Sequence, residues 1–153
     1  MKILIISDTH GNKNIVENIV KQYNYDYLFF LGDGLADFSN IIKNKNIIYV
    51  KGNRDLFSNA PLEKIVEING LRFLLTHGNT YNVKNDFSKL IKIAKQLNAN
   101  YVFFGHTHQY FLETIDNVTL LNPGSLAKTR GGQGTFVIMD INNHKVSFQL
   151  VEI

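Results

Sequence analysis

Phe103-Phe104-Gly105-His106-Thr107-His108 gives the first indication of how this 153-residue chain folds and what it binds. A short apolar run, residues 101–104, ends in a glycine, and two imidazoles separated by one residue follow. A sharp turn after a strand can direct both histidines toward one place, and this spacing suits metal ligation if further ligands arrive there. We therefore predict a strand that ends at a metal site, with the remaining ligands supplied by the rest of the chain.

Four earlier apolar runs also end in residues that can bind a metal. Two of them, residues 2–6 and 27–31, are continuous, as expected for strands buried on both faces of a sheet. Because ligands gather beyond the carboxyl ends of the strands in an α/β sheet, we expect the residues after these runs to converge. The candidate ligands after the five runs are Asp8 and His10, Asp33, Asn53, His77, and His106 and His108.

Seven ligand groups are too many for one ion and suit two. A two-metal site places its ions about 3.5–4 Å apart and needs a bridging carboxylate, further oxygen or nitrogen ligands and a bridging water. The two cations stabilise hydroxide, which gives a nucleophile at neutral pH that is placed for in-line attack. Phosphate esters fit this chemistry best, because their oxygens can also bind the metals.

Each candidate ligand also has an ordinary structural explanation. A lone Asp after a strand is usually a turn residue or a helix cap, and a single His such as His77 is usually a surface or partly buried side chain. Their joint placement favours ligation, since four of the five histidines directly follow predicted strands. The fifth, His144 in the closing hairpin, is interpreted as a surface turn residue.

The remaining periodicity predicts two helices and several hairpins. Apolar spacing predicts one helix from Asn12, which could cap it, and another over about residues 85–97, capped by Asn85 or Asp86. Asn69-Gly70 predicts a two-residue hairpin turn, and the sequence after the last two histidines predicts antiparallel strands. The fold class is therefore α/β. The predicted antiparallel strands are residues 110–115, 118–121, 135–141 and 145–151.

Length and composition predict one domain, residues 1–153, in which 44% of the residues are hydrophobic. The chain has no cysteine, which excludes disulfides, thiolate nucleophiles and Cys-ligated zinc. The apolar run at the N-terminus is too short for a signal peptide or a membrane span, so we expect a cytoplasmic protein without a membrane partner. The net charge of +3 is mild and the lysines are scattered, so no stable nucleic-acid partner is expected.

Six short motifs follow one another between residue 8 and residue 125. They are Asp8-Thr-His10, Gly32-Asp33, Gly52-Asn53-Arg-Asp55, Thr76-His77-Gly78, Gly105-His106-Thr-His108 and Asn122-Pro-Gly-Ser125. As a set they resemble the calcineurin-like metallophosphoesterases, and most closely the small YfcE-type phosphodiesterases. Each motif is weak alone, but the set in this order is highly specific.

The resemblance implies a four-layer α/β/β/α sandwich of two packed mixed β-sheets flanked by helices. It also implies two divalent metal ions with Asp33 as the bridging ligand. Manganese is frequent in such enzymes, and Fe, Ni, Co or Zn also occur; imidazole, carboxylate and amide ligands do not choose among them. The ligands implied for one metal are Asp8, His10 and His108, and those for the other are Asn53, His77 and His106.

Arg54 departs from the pattern of many larger relatives, which have a histidine near the leaving group at this position. Arginine cannot donate a proton at working pH, but its fork can bind phosphate oxygens. We therefore expect a preference for diesters or good leaving groups, without a strong general acid from this motif. Asp55 could orient Arg54 or the site, so the candidate catalytic residues are Asp33, Asn53, Arg54 and Asp55.

Two further positions bear on the substrate. Asn79 stands where close relatives often have a histidine after His77-Gly78. Arg130 lies on the glycine-rich loop over residues 128–134, which is predicted to be mobile. Arg130 either reaches a phosphate or is an ordinary charge on this loop.

The sequence as a whole predicts a dinuclear metal-dependent phosphodiesterase that acts on a small phosphate ester. A nuclease with the same chemistry is an alternative, although no added basic domain is visible to hold a long strand. A scaffold is a second alternative, because the retromer subunit with this fold acts in assembly and fold alone does not secure catalysis. A scaffold has little need to keep all seven ligand positions filled. An exposed strand edge in the C-terminal half could support a homodimer.

Overall fold

Two five-stranded β-sheets lie face to face in the computed structural model, which describes residues 1–44, 46–127, 132–143 and 145–153. The helices are α1 (Lys13–Gln22) and α2 (Ser88–Gln96), and short 3-10 helices span Leu35–Phe38 and Asn79–Tyr81. The strands are β1 (Lys2–Ile6), β2 (Tyr27–Phe30), β3 (Ile47–Tyr49), β4 (Glu63–Ile68), β5 (Leu71–Thr76), β6 (Tyr101–Phe103), β7 (Tyr110–Ile115), β8 (Val118–Pro123), β9 (Thr135–Asn142) and β10 (Lys145–Glu152).

The first sheet has the strand order β10-β9-β1-β2-β3. Strands β1, β2 and β3 run parallel, so their carboxyl ends lie at one edge, while β9 is antiparallel to β1 and to β10. The second sheet has the order β4-β5-β6-β8-β7, in which β5, β6 and β8 run parallel and the two outer strands are antiparallel to their neighbours. Both sheets are therefore mixed, and each supplies parallel strands that end in polar loops.

Strand β1 shows how the layers are filled. Alternate residues of a strand point to opposite faces of the sheet, and both faces of β1 are buried. Ile3 and Ile5 belong to the core between the two sheets, whereas Leu4 and Ile6 pack with α1 on the outer face. On the outer face of the second sheet, α2 contributes Leu90 to a third buried cluster. This arrangement confirms the four-layer α/β/β/α sandwich.

The hairpin predicted at Asn69-Gly70 is confirmed. It joins β4 to β5, which pair in register from Glu63 with Thr76 to Ile68 with Leu71. Both turn residues have positive φ, 53° and 76°, as a two-residue turn matched to the twist of the strands requires.

The predicted helix caps are confirmed only in part. Helix α1 begins after Asn12, but the Asn12 side chain donates to Thr9 O at 2.9 Å instead of accepting a hydrogen bond from the helix. Helix α2 begins three residues later than predicted, with Phe87 at its N-cap, and the Asp86 carboxylate accepts a hydrogen bond from Ser88 N at 2.8 Å. Asn12 therefore bonds to the preceding loop and not to the helix, whereas Asp86 pairs with the first residue of α2. Short-range hydrogen bonds of this kind compete with capping.

The C-terminal half is less uniformly antiparallel than predicted. Strand β8 pairs antiparallel with β7 but parallel with β6, so the chain crosses back into the sheet beside the strand that carries the two histidines. In the described part of the chain, no helix combines the length and the apolar character needed to cross a bilayer. The single domain stays a prediction. Arg130 and His144 lie outside the described residues, as does most of the loop over residues 128–134, and the predictions for them are likewise open.

Candidate metal centre

The seven candidate ligands all lie in loops that follow parallel strands. The loops after β1, β2 and β3 come from one sheet, and the loops after β5 and β6 come from the other. Because the carboxyl ends of these strands meet where the two sheets pack together, the loops approach one another. Two groups of ligand atoms, each within 4.8 Å of one another, are brought together: Asp8, His10 and His108 in one, and Asp8, Asp33 and His77 in the other.

The first group is formed by Asp8, His10 and His108. The Asp8 Oδ1 atom lies 3.1 Å from His108 Nε2 and 3.6 Å from His10 Nε2. The two Nε2 atoms are 3.1 Å apart. Three potential ligand atoms therefore point toward one another from loops that are 98 residues apart in sequence, as ligands around a common cation would.

The second group is formed by Asp8, Asp33 and His77. His77 Nε2 lies 3.4 Å from Asp33 Oδ2 and 3.9 Å from Asp8 Oδ1. His77 Nδ1 lies 2.8 Å from Leu31 O, and a carbonyl can only accept, so Nδ1 carries the proton. The lone pair of the neutral imidazole is thus on Nε2 and faces the two carboxylates, as a metal ligand requires.

Two atoms at the centre of these groups are buried without a hydrogen-bond partner among the described residues: Asp8 Oδ1 and His77 Nε2. The neighbouring imidazoles are close to Asp8 Oδ1 but are not aligned to make a hydrogen bond with it. Leaving a buried polar atom unpaired costs about 1–3 kcal/mol, and more when the group is charged. A divalent cation between these atoms would satisfy both, so the residues fit the metal pair that the sequence implied.

Electrostatics keep the two carboxylates ionised. Burial by itself would raise the pKa of Asp8, but the imidazoles of His10, His108 and His77 outweigh it and the pKa is lowered. Burial opposes ionisation of Asp33 in the same way, and His77 together with the Arg54 backbone N–H lowers the pKa of that carboxyl. Two carboxylates held ionised in a largely buried site favour the binding of cations.

The pKa values of the histidines shift in opposite directions. The Asp8 carboxylate raises the pKa of His10. Burial would lower the pKa of His77, but Asp33 and Asp8 overcome it and raise the pKa. Burial, together with the charges of His77 and Lys84, lowers the pKa of His106. Protons therefore compete with a metal over a wider pH range at His10 and His77 than at an ordinary histidine, and over a narrower range at His106.

Asn53 and His106 line one cavity together with three of the other candidate ligands, His10, Asp33 and His108. The cavity has a volume of about 390 Å³, and Asp33 is the ligand carboxylate in its lining. The His106 ring lies 5.1 Å from the His77 ring, measured between centroids, which places it on the side of the second group. The cavity is lined by His10, Asp33, Asn53, Arg54, Lys84, His106 and His108.

Five of the seven candidate ligands have left-handed backbone conformations. Such conformations cost about 1–3 kcal/mol each for residues other than glycine, and they persist only where the surroundings impose them. Here hydrogen bonds between loops do so: Asp8 N donates to Gly32 O at 3.0 Å, and His106 N donates to Asp8 Oδ2 at 3.1 Å. The φ values are 54° for Asp8, 45° for His10, 61° for Asp33, 69° for His106 and 60° for His108.

Two glycines allow the ligand loops to approach this closely. A Cβ atom at Gly52 would collide with Asp33 Oδ1, and one at Gly105 would collide with Ser7 Oγ and lie 2.7 Å from Asp8 Oδ2. Glycine is required at both positions because no side chain fits between the loops. The glycines of these two motifs thus serve the packing of the ligand loops.

Asp55 holds the loop after β2 against the loop after β3. Its Oδ2 accepts hydrogen bonds from Asp33 N at 2.8 Å and Gly52 N at 2.9 Å, and its Oδ1 accepts from Gly34 N at 3.0 Å and Leu35 N at 2.9 Å. Four backbone donors occupy both oxygens, so this carboxylate is directed at the backbone of the site. Of the two roles predicted for Asp55, the contacts support orientation of the site.

Asn122 and Ser125, quoted above only as part of a motif, position two ligand loops. The Asn122 amide donates to Gly105 O at 2.8 Å and to Thr107 Oγ1 at 3.0 Å. Ser125 Oγ donates to Asp8 O at 2.8 Å. This motif therefore ties β8 and the segment after it to the loops that carry Asp8, His106 and His108.

Sequence reasoning missed Lys84 and Asp37. Lys84 lies in the polar loop before α2, where a lysine is unremarkable, yet its side chain lines the cavity. Asp37 is buried and accepts hydrogen bonds from Gly11 N at 2.9 Å and from Thr9 Oγ1, which fixes the loop between Asp8 and α1. Neither residue belongs to a motif, and only the tertiary structure brings them to the site.

Phosphoesterases are found among the known proteins that resemble this chain in sequence and structure. A phosphodiesterase of Methanocaldococcus jannaschii is 30% identical over an alignment of 162 positions, gaps included, that spans 92% of this chain and 93% of that protein. The crystal structure of an uncharacterized protein of Streptococcus pneumoniae, described as a predicted phosphoesterase, matches with a TM-score of 0.84 and 26% identity over 99% of this chain and 88% of its own.

A further structure shares only the fold. Wild-type Vps29 of Entamoeba histolytica, complexed with zinc, matches with a TM-score of 0.76 and 18% identity over 99% of each chain. The family model of the calcineurin-like phosphoesterase superfamily domain matches residues 1–144. With the match spanning nearly the whole chain and five of the seven candidate ligands lining one cavity, the chain belongs to the calcineurin-like phosphoesterase superfamily.

Proposed function

We propose that this protein is a dinuclear metal-dependent phosphodiesterase that hydrolyses a small phosphate diester. The observation that carries the proposal is the pair of ligand groups that share Asp8 Oδ1, a buried atom without a hydrogen-bond partner in the described part of the chain. A cavity of about 390 Å³, large enough for a phosphate ester, is lined by His10, His108 and Asp33 of these groups. Its relatives include a protein named as a phosphodiesterase.

The first proposed ligand set is the first group, whereas the second set takes only His77 from the second group. Asp8, His10 and His108 would hold one metal, a choice that their mutual distances of 3.1–3.6 Å support. Asn53, His77 and His106 would hold the other, with Asp33 between the two. The contact of Asp33 with His77 at 3.4 Å supports its place on the second metal.

Two divalent ions bound here would supply a hydroxide nucleophile and offset the negative charge of the phosphate. The chain's own contribution begins with Arg54, whose backbone N–H donates to Asp33 Oδ1 at 2.8 Å and whose side chain lines the cavity. Its guanidinium can hold two phosphate oxygens at once. Since arginine does not release its proton, the leaving group departs without an acid from this position, which favours diesters with stable leaving groups.

Lys84 adds a second cation to the cavity. Arg54 and Lys84 line the same cavity, and the charge of Lys84 contributes to the lowered pKa of His106. A phosphate in this cavity would be close to both cations. This arrangement orients the ester above the nucleophile and raises the local concentration of anionic substrates.

The deciding experiment compares bis(p-nitrophenyl) phosphate with p-nitrophenyl phosphate. Metal-stripped protein, the same sample reloaded with manganese, and the Asp33→Asn variant are assayed side by side. We expect diester cleavage to return with manganese and to be absent in the variant. No turnover of either ester with any of Mn, Fe, Ni, Co or Zn would contradict the proposal.

Arg54→His tests the preference for diesters separately. A histidine at this position can donate a proton, so we expect hydrolysis of esters with poor leaving groups to increase relative to bis(p-nitrophenyl) phosphate. An unchanged substrate profile would contradict the role given to Arg54. The matched control is Lys145→Ala, which removes a positive charge from β10, in the first sheet but outside the cavity.

The same samples separate the two alternatives. A scaffold on this fold is favoured by the likeness to Vps29 and predicts saturation with metal without turnover of any ester. A nuclease predicts salt-dependent cleavage of DNA or RNA by the metal-loaded protein. Manganese as the native metal, the cytoplasmic location and a homodimer through an exposed strand edge are further parts of the proposal, to be tested by metal analysis, fractionation and light scattering.

A further inference from the structure

A second cavity adjoins the metal cavity on the other side of Arg54. Its volume is about 360 Å³, and it is lined by Leu35, Ala36 and residues 54–58. Arg54 lines both cavities, so the second is a continuation of the first. Beyond Arg54, the surroundings change from ligands and cations to mainly apolar side chains.

Leu56 and Phe57 are the most exposed large apolar side chains of the described residues. Leu56 is 76% exposed, and Phe57 at 101% is as exposed as in an extended chain. Single exposed apolar residues are common on protein surfaces. Two consecutive exposed apolar residues beside Arg54, a cationic residue of the proposed active site, are unusual. The other residues of their loop leave both side chains uncovered.

The loop that presents Phe57 is held in place at both ends. Two successive turns form it, with Asp55 N donating to Gly52 O at 3.3 Å and Ser58 N donating to Asp55 O at 3.1 Å. The Asp55 carboxylate joins the same loop to four backbone N–H groups, as described above. The phenyl ring therefore projects from an ordered turn, which reduces the conformational entropy that a ligand must remove on binding.

We propose that this second cavity binds a planar aromatic group of the substrate, with Phe57 as the stacking surface and Leu35 as part of the apolar wall. The substrate class is then a phosphate diester of a nucleoside, whose phosphate lies on the metal side of Arg54. This inference rests on the proposed function and names the substrate class of that site.

The chemistry of the lining favours an aromatic occupant. A nucleobase offers a flat π-face to Phe57, and the Arg54 guanidinium can stack on the same face or bind the adjoining phosphate. Stacking of a base on an aromatic side chain accounts for about a five- to hundredfold change in affinity when the side chain is replaced by alanine. An aliphatic ester group would gain contact area but not stacking.

The first test uses two inhibitors that differ only in the base. Adenosine 5′-monophosphate and ribose 5-phosphate carry the same phosphate and sugar, and both are measured as competitors of bis(p-nitrophenyl) phosphate hydrolysis by the manganese-loaded protein. We expect the nucleotide to bind at least about fivefold more tightly. Phe57→Ala should reduce this ratio to about one, and Phe57→Tyr should retain it because stacking is preserved.

The second test needs no catalysis. The chain has no tryptophan, so Phe57→Trp introduces a single fluorescent reporter at the proposed subsite. The nucleotide should quench this reporter in metal-stripped and zinc-loaded protein, and ribose 5-phosphate should not. Leu112→Trp is the matched control, since Leu112 is 39% exposed on β7 and lies outside both cavities.

The outcomes separate this inference from the proposed function. Quenching at Phe57→Trp without hydrolysis of any ester would support the aromatic subsite and contradict the catalytic proposal. Hydrolysis with equal inhibition by both compounds, or equal quenching of both reporters, would overturn the subsite. Loss of a dimer in Phe57→Ala by light scattering, with the inhibitor ratio unchanged, would assign the exposed ring to contact with a second copy and also overturn it.

Discussion

The two ligand groups of the candidate metal centre differ in how firmly the protein holds them. We call the group of Asp8, His10 and His108 the rim half, and the group of Asp8, Asp33 and His77 the buried half. In the rim half, the side chains of His10 and His108 are 22% and 35% exposed, and their nitrogens contact each other and Asp8. In the buried half, His77 is fully buried and Leu31 O fixes its tautomer. The buried half is therefore preorganised for a cation, whereas the rim half can adjust. We expect the first metal to bind in the buried half and the second to complete the site.

Asp8→Asn should have the largest effect because Asp8 belongs to both halves. Loss of its charge weakens both metal positions, and we expect kcat/KM to fall by at least about a hundredfold, since changes to outer ligands alone cost about 10–100-fold. Metal content after dialysis and diester hydrolysis are the measurements. Asp116→Asn, which removes an exposed carboxylate paired with Lys95, is the control. Two metals retained in Asp8→Asn would contradict the shared position of this carboxylate.

His77→Ala and His10→Ala test the comparison directly. Removal of the His77 imidazole should weaken the affinity for metal in the buried half roughly 10–100-fold. Removal of the His10 imidazole should release the metal of the rim half and leave the other metal bound. Titration with manganese, followed by electron paramagnetic resonance, counts the two positions. Equal behaviour of the two variants would show that burial and the contact with Leu31 O do not distinguish the halves.

Asp55→Asn tests whether the backbone around Asp33 must be held in place. The Asn amide nitrogen would face backbone N–H donors, and each unpaired donor costs about 1–3 kcal/mol. We expect a lower melting temperature and about a tenfold lower kcat/KM, with two metals still bound. Asp26→Asn is matched to it, because the exposed Asp26 also accepts a backbone hydrogen bond, from Lys2 N at 2.7 Å. Unchanged kcat/KM in Asp55→Asn would remove its positioning role.

Acidification should weaken metal binding in both halves. The pKa values of His10 and His77 are raised by the neighbouring carboxylates, so these rings are protonated over a wider pH range in the metal-free protein. A metal must displace those protons, and affinity falls about tenfold per pH unit for each proton below the raised pKa. His106, with a lowered pKa, should release none near neutrality. Calorimetry in buffers of different ionisation enthalpy counts the protons, and a count of zero at pH 6 would contradict this.

Lys84→Ala should have the smallest effect. Its exposed ammonium contributes to phosphate binding on the His106 side without holding a metal, so we expect KM to rise roughly two- to fivefold at unchanged kcat. Lys145→Ala, on β10, serves again as the control for loss of one positive charge. A fall in kcat with unchanged KM would mean that Lys84 acts on the reaction step and not on binding.

Local sequence was enough to bring the candidate ligands together but not to identify the groups that hold their loops. Asp8, His77 and His106 could be chosen as candidates because each follows a largely apolar run, and parallel strands bring such ends together. The four backbone partners of Asp55 and the place of Lys84 depend on loops far apart in sequence. The predicted cap at Asn12 failed for a different reason: a competing short-range hydrogen bond to Thr9 O, three residues away, occupies its side chain.

The left-handed conformations of the ligand loops have a consequence for divergence within this fold. Asparagine, aspartate and glycine adopt this conformation most easily, so a histidine at His10, His106 or His108 could be replaced by one of them without disturbing the chain path. A β-branched residue such as valine would be strained in this conformation, so its substitution for histidine would destabilise the loop. A single substitution that leaves the backbone undisturbed could therefore remove one metal while the sandwich stays intact. A descendant of this kind would lose the metal chemistry and could use the same surface for binding.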